Sequence, residues 1–146
     1  MDKTAICTFF GHRDCPESVK PQLRALLIKL IEQEGVTRFY VGNQGRFDSI
    51  ARSVLRALKE DYPAIDFCVV LAYMPGKADP LRDLHSEETM LPEGIETVPK
   101  RFAISWRNRW MLKRADYVVT YIRHAYGGAA QFAQQAKKQG KRVYEI

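Results

Sequence analysis

The chain has no apolar run long enough to cross a membrane. Its first residues carry no apolar signal-peptide stretch. Cysteine is scarce: Cys7, Cys15 and Cys68 are the three present, and their spacing is that of no metal site. Cys7 and Cys68 lie in apolar, strand-like runs, so a reduced, cytoplasmic protein is expected, with no membrane role. No pair of carboxylates and no His/Cys cluster supports a metal site. Repeats, low-complexity runs and linkers are also missing, so residues 1–146 are read as one domain.

What is present is ordinary for a globular chain: 46% apolar and 27% charged residues. The net charge of +6 suits nucleic acid or a small anionic ligand. Its distribution separates the two. Residues 79–96 hold six acids (Asp79, Asp83, Glu87, Glu88, Glu93, Glu96) against Arg82 alone. Residues 100–114 hold six bases (Lys100, Arg101, Arg107, Arg109, Lys113, Arg114) and no acid. Adjacent blocks of opposite sign neutralise each other or solvate two faces, and Trp106, Trp110 and Met111 interrupt the basic run. Nucleic acid is therefore not expected as a partner; a small anion is.

Residues 4–10 predict a fully buried first strand, ending in a turn at 11–16. The stripe Val19, Leu23, Leu26, Leu27, Leu30, Ile31 predicts a helix with Pro21 in its first turn and Gly35 as its C-cap. A second strand spans 38–42, and a glycine turn over 42–46 opens a helix with Phe47, Ile50, Ala51, Val54, Leu55 and Leu58 on one face. The third strand spans 65–72. Residues 73–100, rich in proline, read as an irregular segment too long for an ordinary connection. A helix over 102–114, a strand over 117–122, a helix over roughly 128–139 and a short edge strand at 142–145 complete the chain.

The run from Asp116 to Ala130 organises this pattern. A short β-branched and aromatic strand ends at a Gly-Gly turn, which lets the backbone approach a ligand. The following helix offers its free N–H groups there, suiting a phosphate or carboxylate. Strands alternating with helices imply an α/β fold, a parallel sheet with helices on both faces. The turns at 11–16, 42–46 and 123–128 all follow strands and so converge on the sheet edge where such folds bind ligands.

Phe10-Gly-His-Arg13 with Cys15, Val41-Gly-Asn-Gln-Gly-Arg-Phe-Asp48, Arg107-Asn108-Arg109-Trp110-Met111, Ala115-Asp116 and Tyr126-Gly-Gly128 resemble the SLOG superfamily. The nearest resemblance is to its YpsA-like branch of small bacterial proteins. The superfamily also holds the LOG phosphoribohydrolases, the DprA DNA-processing proteins and nucleotide-sensing domains. The resemblance covers nearly the whole chain in motif order. It implies a Rossmann-like three-layer sandwich, sheet order 3-2-1-4-5, and a nucleotide-derived ligand at the strand C-ends.

One departure concerns chemistry. LOG enzymes carry Pro-Gly-Gly-x-Gly-Thr-x-x-Glu after the corresponding strand. Here Gly127 and Gly128 are kept, Ala130 replaces the third glycine, Gln131 the threonine and Gln134 the catalytic glutamate. Glutamine has the shape of a carboxylate without its basicity, so base release from nucleoside monophosphates is expected to be slow or absent.

The expected ligand-binding residues are Gly11, His12 and Arg13 in the first turn, and Gly42, Asn43, Gln44, Gly45, Arg46 and Asp48 in the second. Arg107 and Asn108 join from the basic helix, and Tyr126, Gly127, Gly128 and Ala129 from the last turn. Arg13 can grip a phosphate bidentately. His12 can orient Arg13, contact the ligand, act as an acid–base group or hold the turn. Cys15 has no identifiable orienting group and does not read as a nucleophile. Asp48 reads first as a helix cap; facing the cleft, it would take ribose hydroxyls. Tyr73 and Met74 could flank a base; His124 ends the fourth core strand, and His85 has no evident partner. Trp106 and Trp110, at i and i+4, read as core or dimer packing rather than base stacking, and a homo-oligomer is expected.

Two classes of function follow. The first is binding or sensing of a nucleotide-derived ligand (a nucleoside phosphate, ADP-ribose or a NAD derivative), with little or no catalysis. The second is N-glycoside cleavage of the phosphoribohydrolase type. A DNA-processing accessory protein is the weaker third. No cofactor is assigned beyond a bound nucleotide.

Overall fold

The computed structural model describes residues 4–74 and 88–146. His85, half of the acidic block (Asp79, Asp83 and Glu87 among its acids) and the middle of the irregular segment lie outside these residues. Among the described residues six parallel strands form one sheet: β1 (Ala5–Gly11), β2 (Val36–Val41), β3 (Asp66–Val70), β4 (Glu88–Met90), β5 (Tyr117–Tyr121) and β6 (Arg142–Glu145), in the order β4-β3-β2-β1-β5-β6. Without β4 this is the order that the resemblance implies. β4 is the strand the sequence does not predict. It is three residues long and pairs Cys68–Val70 inside the segment read as irregular.

Helices α1 (Lys20–Glu34) and α2 (Gly45–Asp61) cover one face, and α3 (Lys100–Arg114) and α4 (Gly128–Lys138) the other. Each central strand is shared between two cores with a period of two. Cys7 and Phe9 of β1 point to α1 and α2, whereas Phe10 packs with Met111 and Phe132 on the opposite face. That double burial is why the strands read as continuous apolar runs. α1 begins after a 3-10 turn at Glu17–Val19, with Pro21 in its first turn, and ends at Gly35 with φ 72°. β5 is tied to β1 at its start, where the Asp116 carboxylate accepts the Ile6 N–H at 3.1 Å. No helix among the described residues is long and apolar enough to cross a membrane.

One contact sets how closely α2 approaches the sheet. A Cβ on Gly11 would lie 2.2 Å from the Phe47 ring. Phe47 is fully buried and stacks on Tyr121 at 6.0 Å between centroids. Gly11→Ala is therefore expected to cost about 1–3 kcal/mol through overpacking. Gly128→Ala, with no heavy atom within 4 Å of the added methyl, should cost far less. Urea denaturation of the two variants checks this difference.

Candidate functional site

The C-terminal ends of β1, β2 and β5 surround a cavity of about 410 Å³. Its wall includes Gly11, His12 and Arg13 after β1, Gln44 and Asp48 at the start of α2, and Arg107 and Asn108 of α3. Tyr126, Gly127, Gly128 and Ala129 close it at the start of α4. The expected residues thus meet, with four exceptions. Gly42 and Asn43 lie behind the wall: a Cβ on Gly42 would come 2.8 Å from an Asp48 carboxylate oxygen, and Asn43 Oδ1 accepts from Arg107 at 3.0 Å. Gly45, with φ 88°, packs where a Cβ would sit 2.7 Å from the Arg13 Cα. Arg46 does not line the cavity. Its side chain pairs with Glu17 at 2.6 Å, and its backbone N–H donates to the Arg13 carbonyl.

The wall is built on a buried polar bolt. The Arg107 side chain is 1% exposed. Its guanidinium donates to the Val70 carbonyl at 2.9 Å, to Asn43 Oδ1 at 3.0 Å and to Asn108 Oδ1 at 2.9 Å. One side chain thereby joins β3, the second turn and α3. Asp48 is also buried and accepts the Gln44 N–H at 2.9 Å, so it holds the entry of α2 as well as facing the cavity. Burial pushes the Asp48 carboxyl up from the usual carboxylate range; the Arg107 guanidinium and the Gln44 N–H pull it back in part.

His12 is buried beside the sheet end. Its Nε2 accepts the Arg123 N–H at 2.9 Å and the His124 N–H at 3.4 Å. An acceptor Nε2 leaves the proton of the neutral ring on Nδ1. Burial lowers its pKa below 6.5, helped by His124 and Arg123 and opposed by Asp14. The unfolded chain then takes up the proton first as pH falls. Stability should drop on acidification from about pH 6.5 until the folded pKa is passed. His12→Gln keeps an acceptor near the Nε2 position and does not titrate. The wild-type loss relative to this variant, measured by denaturation between about pH 5 and 8, should vanish above the unfolded pKa.

Arg13 is exposed, and its guanidinium has no hydrogen bond or ion pair among the described residues. Gly127, with φ 94°, turns the chain into α4, and no side chain caps that helix. A cation and a set of free N–H groups therefore face one cavity, the arrangement that holds a phosphate. At the mouth, three rings form a column: His12 on His124 at 3.6 Å, and His124 on Tyr126 at 3.9 Å between centroids. Tyr126 is 73% exposed.

His124 and Asp14 belong to this site without a ligand role having been read for them. Their signal was position alone, just past strand C-ends. Ile104 and Met111 also line it, at i−3 and i+4 from Arg107, a spacing that could have found them. Cys15 is buried with its thiol pushed up, so it is not poised as a thiolate. Gln134 is exposed on α4 and does not line the cavity.

No protein-family model matches the sequence, and no curated protein matches it at a significant level. Solved structures do. The DNA processing protein A (DprA) of Streptococcus pneumoniae superposes with a TM-score of 0.68 at 17% identity, covering 98% of this chain and 50% of that one. DprA of Helicobacter pylori, described for its single-stranded DNA binding mode, gives 0.62 at 15% identity over 97% and 64%. The chain thus spans half of one and under two thirds of the other. The fold is that of the DprA proteins, Rossmann-like α/β. The expectation that nucleic acid is no partner is overturned here, because a protein of the same fold is described as binding single-stranded DNA. The physical error lay in reading charge along the chain. Order along the chain does not say which side chains share a surface: α3 exposes Arg101, Arg109, Lys113 and Arg114 on a helix without an acid.

Proposed function

We propose that the chain binds single-stranded nucleic acid, holding one nucleotide's phosphate in the cavity at the ends of β1, β2 and β5, as a DNA-processing accessory module. One observation carries this reading: the Arg13 guanidinium and the start of α4, unpaired and uncapped among the described residues, line the same cavity, and its mouth carries the exposed Tyr126 ring. The first two suit a phosphate, and the ring offers a face on which an unpaired base stacks. Duplex DNA lacks such a base, so single strands are preferred. The likeness to the DprA fold supports the reading.

A second reading is favoured by size. About 410 Å³ is room for one nucleotide, so a free nucleoside phosphate, ADP-ribose or a NAD derivative could be the ligand of a YpsA-like sensor. Titration of fluorescent single strands, the same sequence as duplex, and free AMP, ADP-ribose and NAD separates the two. The single strand is expected to bind most tightly, with affinity falling as salt rises. Tighter binding of a free nucleotide would reject the nucleic-acid reading in favour of the sensor.

A further inference from the structure

We infer that the outward face of α3 is a second contact surface for single-stranded nucleic acid, continuing the strand held at the cavity; it rests on the function proposed above. Helical spacing places Phe102, Trp106, Arg109 and Lys113 (i, i+4, i+7, i+11) in one arc of α3, turned away from Arg107. Phe102 is 50% exposed, and Arg109 and Lys113 are exposed. A groove of about 380 Å³ runs beside this arc, walled by Trp106, Arg109, Trp110, Lys113 and Arg114, with Glu93 the one acid among the described residues lining it. The rings are held in place. Trp106 packs on the small cluster of Ala72, Ile95 and Ala103. Trp110 is wedged edge-on to Tyr40 at 5.1 Å, with the Arg114 guanidinium 3.9 Å from its ring.

The occupant follows from charge and ring chemistry. A second copy of this chain in a two-fold contact would set Arg109 and Lys113 against the same residues, which repel. A polyanion is attracted instead. Fixed aromatic faces among the bases suit unpaired bases, which stack without regard to sequence. The path is short: Arg107 and Asn108 on the other side of α3 line the cavity, so a strand need cross only one helix, about 10–12 Å.

Both tryptophans of the chain, Trp106 and Trp110, lie on α3, so tryptophan fluorescence, excited apart from the tyrosines, reports on this helix. The test titrates oligothymidylates of about 4 and about 16 nucleotides, spanning the usual site sizes. The long strand should quench the tryptophans and bind roughly tenfold or more tighter than the short one. Arg109→Glu with Lys113→Glu should remove that advantage, leave short-strand affinity unchanged, and flatten the salt slope by about 1.4 for two lost phosphate contacts. Arg13→Ala should weaken both strands. Long-strand binding without quenching, or an undiminished advantage in the double variant, overturns the α3 surface and leaves the cavity reading intact. Arg13→Ala without effect on either strand overturns the cavity reading instead. Equal quenching by polyglutamate would make the face an acidic-protein site, and a dimer in light scattering that the double variant dissociates would make it a self-interface; either result overturns the proposal.

Discussion

Arg107→Ala is expected to destabilise the fold by about 3–5 kcal/mol, the cost of removing one member of a buried charged network. The side chain is 1% exposed, and its guanidinium satisfies the Val70 carbonyl and Asn43 Oδ1. Alanine would leave both without that donor, and would remove the cation that most offsets the burial of Asp48. The carboxyl of Asp48 should then be pushed up further, in the direction its burial already sets. Arg107→Lys keeps a charge but not the planar fork that reaches two acceptors, so it should recover only part of the loss. Denaturation by urea checks the magnitude. A loss below about 1 kcal/mol for the alanine variant, a typical single hydrogen bond, would mean that the network contributes little to stability.

That residue also marks where sequence reading stopped. α2 was legible because every third or fourth residue from Phe47 to Leu58 is apolar and the buried set is that stripe with Asp48 added. The glycine turns were legible because each follows a short apolar strand, and parallel strands bring their ends to one edge. Arg107 was expected to reach the ligand, and it does line the cavity, but its place in a basic run gives no sign that it is buried. Its burial depends on acceptors 37 and 64 residues away, Val70 and Asn43, which no local pattern announces. Arg46 fails for the same reason in reverse. It sits in a glycine turn beside the site, yet Glu17, 29 residues earlier, takes its guanidinium outward. β4 has no period to detect, since three residues complete less than two repeats of a strand pattern.

Charge was the least legible property. The sequence gives its sign and its order, whereas partner choice depends on which side chains share a surface. The six bases of residues 100–114 divide in the fold: Arg107 is buried in the network, while Arg109 and Lys113 flank the aromatic groove. Trp106 and Trp110 are each half-buried, so each packs on the core and also lines the groove. An i, i+4 pair specifies a shared face but not what lies opposite it.

Gly128→Asp is expected to abolish binding at the cavity while leaving the fold intact. A Cβ there meets no heavy atom within 4 Å, and the residue is exposed at the first position of α4. A carboxylate at a helix N-terminus is favourable to the helix by about 0.3–1 kcal/mol. The same carboxylate occupies the place of the ligand phosphate, and two like charges about 4 Å apart near a protein surface repel by up to about 4 kcal/mol. Stability and binding should thus move in opposite directions, which a merely structural glycine would not produce. Arg13→Ala tests the other half of the phosphate site. It removes charge-assisted hydrogen bonds and should weaken binding by roughly 1.5–3 kcal/mol, about ten- to a hundredfold. Arg142→Ala is the control. Arg142 starts β6 at the opposite edge of the sheet, where it pairs with Glu34 at 3.3 Å, and its loss should leave affinity nearly unchanged. Calorimetry with a short single strand, beside urea denaturation of each variant, reads both quantities. Undiminished binding by Gly128→Asp, or an equal loss from Arg142→Ala and Arg13→Ala, would place the phosphate elsewhere.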